Sequence, residues 1–169
     1  MGTRNLTVVK NKAGETKVAL YGQWDGYPQH SGIKALEFLR PKINRHNLLA
    51  SLPVVEFITD EECDELYNAS KSSTDWENKD FLNEYPGLHR DTGVDILEIV
   101  ATANASKTIK MIDNSEFAKD DLFCEGIYGV DFSTNKFTSI YGGKKVDFDL
   151  DNLPTNEEYL SAMGVEAFV

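Results

Sequence analysis

Two hairpin signatures, one near each end of the chain, bracket a run of helical patterns, and together they predict an α+β fold. The expected architecture is an antiparallel sheet built from the N- and C-terminal hairpins, with helices packed on it. Strand and helix signals do not alternate regularly, which argues against a doubly wound nucleotide-binding sheet.

Taken in order, Leu6-Thr-Val-Val9 alternates into Lys10, and Lys17-Val-Ala-Leu-Tyr21 is a second apolar run. The turn-rich Asn11–Glu15 between them predicts the N-terminal hairpin. Ser31 or Gly32 starts a helix carrying Ile33, Leu36, Phe38 and Leu39. Pro41 interrupts it, and residues 43–50 form a second helical piece. Residues 53–58 read as a short strand. Thr59 or Asp60 caps a helix to about Ala69, with acids in its first turn, where the helix dipole favours them. Residues 70–91, polar but carrying Trp76, Phe81 and Tyr85, read as a long loop ending in Pro86-Gly87. Asp91 or Thr92 caps a helix over about 93–105, and Thr108–Ile112 alternates as a strand. Residues 123–132 and 136–141, joined by Ser-Thr-Asn, give the clearest hairpin. Gly126 and Gly129 inside it point to a bulge or to close packing. A last helix is expected at 155–163. Gly142-Gly143-Lys144 lacks the rest of a phosphate loop and reads as a turn.

At 169 residues the chain is expected to be one domain, 1–169, large enough to bury a core without disulfides or metals. No apolar run approaches the roughly 20 residues of a membrane helix, and the first residues lack the apolar stretch of a signal peptide. No membrane partner, no cofactor and no metal are expected. The two cysteines, Cys63 and Cys124, have no metal spacing and are expected as free thiols in a reducing cytoplasm. The net charge of −11 is split unevenly: residues 1–50 hold eight Lys/Arg against three acids (+5), and the rest nine against 25 (−16). Such a split suggests that the two parts meet different partners. The acidic part would repel nucleic acid, or imitate it before a basic groove.

The densest functional signal is Tyr21-Gly-Gln-Trp-Asp-Gly-Tyr-Pro28, followed by Gln-His-Ser-Gly32. Glycines there let large side chains be re-aimed over a short distance. Tyr21, Trp24 and Tyr27 can stack on a base or anchor a protein contact, and Gln23 and Asp25 can read hydrogen-bond edges. Arg4, Lys34 and Arg40 can hold phosphate if the fold brings them near. Metal-independent RNA cleavage would instead need a general acid and base beside a cation. His30 after the loop and His89 beside Arg90 are the candidates, with His46 beside Arg45 a third. The acids Asp60-Glu-Glu62 with Asp64-Glu65 lack EF-hand spacing and read as a solvated helix start. Asp147, Asp149 and Asp151 alternate at strand spacing, able to share a cation or to protect an edge strand.

Met1-Gly-Thr-Arg-Asn-Leu-Thr7 joined to Tyr21–Pro28 resembles a poorly characterised family associated with bacteriophages and prophages, and residues 126–141 resemble that family's C-terminal hairpin. The resemblance implies a phage anti-defence protein, with anti-CRISPR proteins as one such class. The implied partner is a host defence protein or ribonucleoprotein, with RNA within reach. It supplies no catalytic residue. Gly2-Thr3 before a strand also resembles the processing junction of N-terminal-nucleophile hydrolases, in which the Thr3 amine would be the base and Lys34 would lower its pKa. Met1 precedes Thr3 here, so that activity is not expected of this chain as written, while a related fold without the reaction stays open.

Overall fold

A computed structural model of the chain describes residues 2–69 and 79–168. Trp76, expected in a long loop, lies outside the described residues.

The chain is α+β. Strands β1 (Asn5–Lys10) and β2 (Thr16–Gly22) form the N-terminal hairpin, and β5 (Gly126–Asp131), β6 (Lys136–Tyr141) and β7 (Lys144–Asp149) form a C-terminal meander. They make one five-stranded sheet of order β2-β1-β5-β6-β7. Its pairs are antiparallel except the central one: β1 and β5 run parallel, with Val9 opposite Val130. The sheet is therefore mixed rather than wholly antiparallel. The long, largely helical crossover between the hairpins is what a parallel pair requires. A second, two-stranded parallel sheet pairs β3 (Val55–Phe57) with β4 (Ile109–Met111).

One face of the large sheet is the core. Val18, Val9, Val130, Phe137 and Phe148 lie in register across all five strands, and the first four are buried to 2% exposure or less. Alternation at period two puts them on one side. Against them pack Leu36 and Leu39 of α1 (Ile33–Leu39), Leu48 of α2 (Lys42–Ser51), Leu97 and Val100 of α5 (Ile96–Ala101), and Tyr159 and Met163 of α6 (Asn156–Met163). Pro41, extended at ψ 124°, separates α1 from α2. A capping box between Thr155 and Glu158 starts α6, and Gly164 ends it in the left-handed region at φ 70°. The helix expected over 93–105 is shorter, because the Thr102 hydroxyl bonds back to the Glu98 carbonyl where α5 stops.

Residues 79–91 are more ordered than a loop. Here α4 (Lys79–Glu84) buries Phe81 against Leu66 and Tyr67 of α3 (Asp60–Ala69), together with Ile58, Tyr85 and Leu88, in a second small core. A short apolar pattern in polar sequence becomes helical here because tertiary packing supplies what so brief a local periodicity lacks.

Strand β2 is an outer strand, yet its open edge is capped. Asn114 N–H donates to the Ala19 carbonyl (2.9 Å), Tyr21 N–H donates to Asn114 Oδ1 (3.1 Å), and Gln23 N–H donates to the Arg90 carbonyl (2.9 Å). Covering an edge in this way blocks pairing with another chain. It also draws residues 87–91 and 112–114 against the end of β2.

Candidate functional site

The loop after β2 is wedged into the sheet from both sides. Gly26 N–H donates to the Thr3 carbonyl (2.9 Å), and the hydroxyl of buried Tyr128 donates to the Gly26 carbonyl (2.5 Å). Gly126 makes room for that carbonyl, since a β-carbon there would sit 2.3 Å from it. Close packing, not a bulge, is thus the reason for glycine at that strand position. Asn5 Nδ2 donates to the Trp24 carbonyl (3.0 Å). Asp25 adopts φ 54°, and its carbonyl accepts from the Ser31 hydroxyl (2.6 Å). A π-helical turn, Pro28–Gly32, then leads into α1.

Fixed this way, the loop exposes Trp24, which is 45% accessible. The indole does not close the core. Its Nε1–H donates to Asp91 Oδ1 (2.8 Å), and the Arg90 guanidinium lies 5.7 Å from its ring centre. Asp25 is exposed beside it, its carboxylate accepting the Tyr27 hydroxyl (2.9 Å), a bond that raises the Tyr27 pKa. Tyr27 in turn meets Phe168 edge-on at 5.1 Å.

Behind Trp24 an open cleft of about 320 Å³ lies where the edge-capping segments meet β2. Leu20, Tyr21 and Gln23 form one wall, residues 87–90 the second, and Ile112 with Asn114 the third. The Tyr21 hydroxyl donates to Gln23 Oε1, and the Tyr21 ring packs edge-on against Phe117 (4.9 Å). Burial raises the Tyr21 pKa, while the positive charges of Arg4 and Arg90 pull it the other way. His89 is 1% exposed, and its Nδ1 accepts the Asp91 N–H (3.0 Å), so that nitrogen is already engaged.

The structure thus gathers Tyr21, Gln23 and His89 in one cleft and sets Trp24, Asp25 and Tyr27 on the loop beside it. It does not bring the other expected residues there. His30 is exposed at the end of the π-helical turn, 6.3 Å from the Tyr27 ring, and does not line the cleft. His46 is exposed on α2. Lys34 forms an ion pair with Asp95 (2.6 Å). Arg4 stacks over Phe123 and donates to its carbonyl (3.2 Å), and Arg40 donates to the Pro154 carbonyl (3.0 Å). These cations are engaged within the fold rather than grouped for phosphate. The alternating acids have local partners too: Asp147 accepts from Thr138, and Asp149 and Asp151 accept from Asn135. Among the described residues no group of three or more His, Cys, Asp or Glu could hold a metal ion, and no helix is long and apolar enough to cross a membrane. Cys124 is held protonated, since burial and the acids Asp120 and Glu125 push its thiol up to about 11.

Asn114 is the site residue that sequence reasoning missed, while Arg90 was noticed only as the cation beside His89. Both reach the cleft through backbone bonds to the edge of β2, which no local pattern announces. Comparison of the chain with protein-family models, curated proteins and solved structures found no match.

Proposed function

We propose that the protein works by binding, as a phage-derived anti-defence protein of the anti-CRISPR kind that occupies a host effector ribonucleoprotein and leaves its RNA intact. The observation that carries this reading is Trp24, nearly half exposed yet fixed by Asp91, Arg90 and the anchored loop. An aromatic already held in one orientation loses little freedom on binding, so its contact energy goes to the partner. Charge supports a basic partner: Asp60, Glu61, Glu62, Asp64 and Glu65 are all exposed on α3, whereas Arg4, Lys34, Arg40 and Arg45 are engaged internally. The alternative is a metal-independent ribonuclease or N-terminal-nucleophile-like hydrolase, and the separation of His30 from the cleft that holds His89 counts against the ribonuclease.

In bacteria carrying CRISPR interference, expression of the chain is expected to restore plating of a targeted phage. Trp24→Ala is expected to abolish that effect, because truncating such an anchor costs about 2 kcal/mol or more of binding, roughly 30-fold in affinity. Its stability cost is expected at about 1–2 kcal/mol, below the roughly 3–5 of a buried tryptophan. Affinity for the purified effector should also fall as salt rises. Unchanged plating with a folded Trp24→Ala protein overturns the reading, and shortened guide RNA on a gel replaces it with the hydrolytic alternative.

A further inference from the structure

We infer that the cleft between β2 and residues 87–90 and 112–114 is a binding site for a small phosphate-bearing ligand with a flat, hydrogen-bonding body, of nucleoside monophosphate size. The cleft shares Arg90 with the Trp24 surface but does not include Trp24, and the inference does not rest on the effector-binding reading.

The first observation is charge. The chain carries 28 acidic residues at a net charge of −11, yet no Asp or Glu among the described residues lines this cleft. Its walls carry Arg90 instead, and the side chain of Arg90 is 31% accessible. In a strongly acidic protein, a depression whose lining holds a guanidinium and no carboxylate favours an anion, although Asp91, just outside that lining, lies 3.6 Å from Arg90 Nε.

The second observation is the set of donors. Tyr21 N–H bonds Asn114 Oδ1, and because a backbone amide can only donate, it fixes which way the Asn114 amide is turned. The Asn114 Nδ2 group donates to none of the described residues. Gln23 is used in the same way: its Oε1 accepts the Tyr21 hydroxyl and its amide nitrogen has no acceptor among the described residues. Two amide donors beside a guanidinium suit a ligand rich in acceptors, which phosphate and base edges both are.

The third observation is shape. Leu20, Leu88 and Ile112 supply apolar wall between the polar groups, against which a flat body can lie. At about 320 Å³ the cleft sits at the lower end of ligand-site volumes, which run from roughly 300 to 1,000 Å³. That admits one nucleotide and not a dinucleotide.

The test is calorimetric titration of the full chain with AMP and UMP, each nucleoside lacking the phosphate, and inorganic phosphate alone. At least one nucleotide is expected to bind at least tenfold more tightly than its nucleoside and than phosphate. Asn114→Asp keeps the oxygen that accepts the Tyr21 N–H but replaces the donor with a charged acceptor. It is expected to melt like the parent and to lose at least tenfold in nucleotide affinity. Gln23→Glu makes the same exchange at the second donor, keeps the acceptor for the Tyr21 hydroxyl, and is expected to show the same loss. No binding by either nucleotide, phosphate binding as tightly as the nucleotides, or affinity unchanged in both folded variants would overturn the inference. Phage plating is a separate readout, so failure here is distinguishable from failure of the effector-binding reading.

Discussion

Tyr128→Phe removes one oxygen atom and should show that the loop's rigidity comes from the core of the sheet. Tyr128 is 1% exposed, and its hydroxyl donates to the Gly26 carbonyl across 102 positions of sequence. Burial holds that hydroxyl protonated far above the ordinary phenol range, so it acts as a donor at any pH at which the protein is folded. On the Gly126 side the carbonyl is hemmed in so closely that a β-carbon would lie 2.3 Å away, which leaves no room there for a replacing water. The phenylalanine variant therefore loses a buried bond and strands an acceptor, at a cost of about 1–3 kcal/mol. For a chain of this size each kcal/mol lowers the melting temperature by about 2–4 °C, so a drop of about 4–8 °C is expected near the middle of that range. Amide exchange locates the damage. Gly26 N–H, bonded to Thr3, and Ser31 N–H, bonded to Asp25, should exchange faster while the amides of β1 do not. A variant that melts within about 1 °C of the parent, with Gly26 and Ser31 exchanging at the parent rate, would refute the tether.

Two further perturbations probe the same scaffold. Gly32→Ala would place a β-carbon 2.0 Å from the hydroxyl of Tyr159, which is fully buried and bonded to Ser139 (2.7 Å); a loss of about 1–3 kcal/mol by thermal melting is expected, partly recovered by adding Tyr159→Phe, and an unchanged melting temperature would contradict the packing. In alkali, burial pushes the Tyr159 hydroxyl up to about 12, so the folded chain keeps a proton that the unfolded chain releases near pH 10; stability is full below about pH 10 and is lost as pH rises toward 12. Phenolate absorbance followed with circular dichroism should show part of the tyrosine signal appearing only with unfolding, and a smooth titration of every tyrosine in the folded protein would sink this.

The hairpins were legible because alternation at period two is a local property, carried within β1, β2, β5 and β6 themselves. The parallel join of β1 to β5 was not, since nothing within either strand states which distant strand it will meet. The same limit explains α4. Phe81 has only Tyr85 at helical spacing nearby, too short a pattern to announce a helix, and the packing is completed by Tyr67 of α3; the two rings reach it at 5.2 and 4.8 Å. At the site, the aromatic and glycine content of residues 21–32 located the exposed loop, and Trp24 stands where that composition suggested. Charges were the least legible feature. Lys34 and Arg4 read as phosphate ligands in isolation, but Asp95 and Glu125 take them up from far along the chain.

The capped edge of β2 and the cleft are made by the same groups, which explains why stability and binding can be separated there. Asn114 closes the edge with its backbone N–H and with Oδ1, and Arg90 closes it with its carbonyl. Each thereby spends one set of atoms on the fold while the residue itself also lines the cleft. A change that keeps the spent atoms and alters the others is felt by a ligand before it is felt by the sheet. Truncation does the reverse: Asn114→Ala would strand the Tyr21 N–H and reopen part of the strand edge, so loss of binding in that variant could not be told from loss of structure. Amide-to-acid substitutions are therefore the informative ones at this site, because they keep the acceptor that the strand edge needs and change only what the cleft presents.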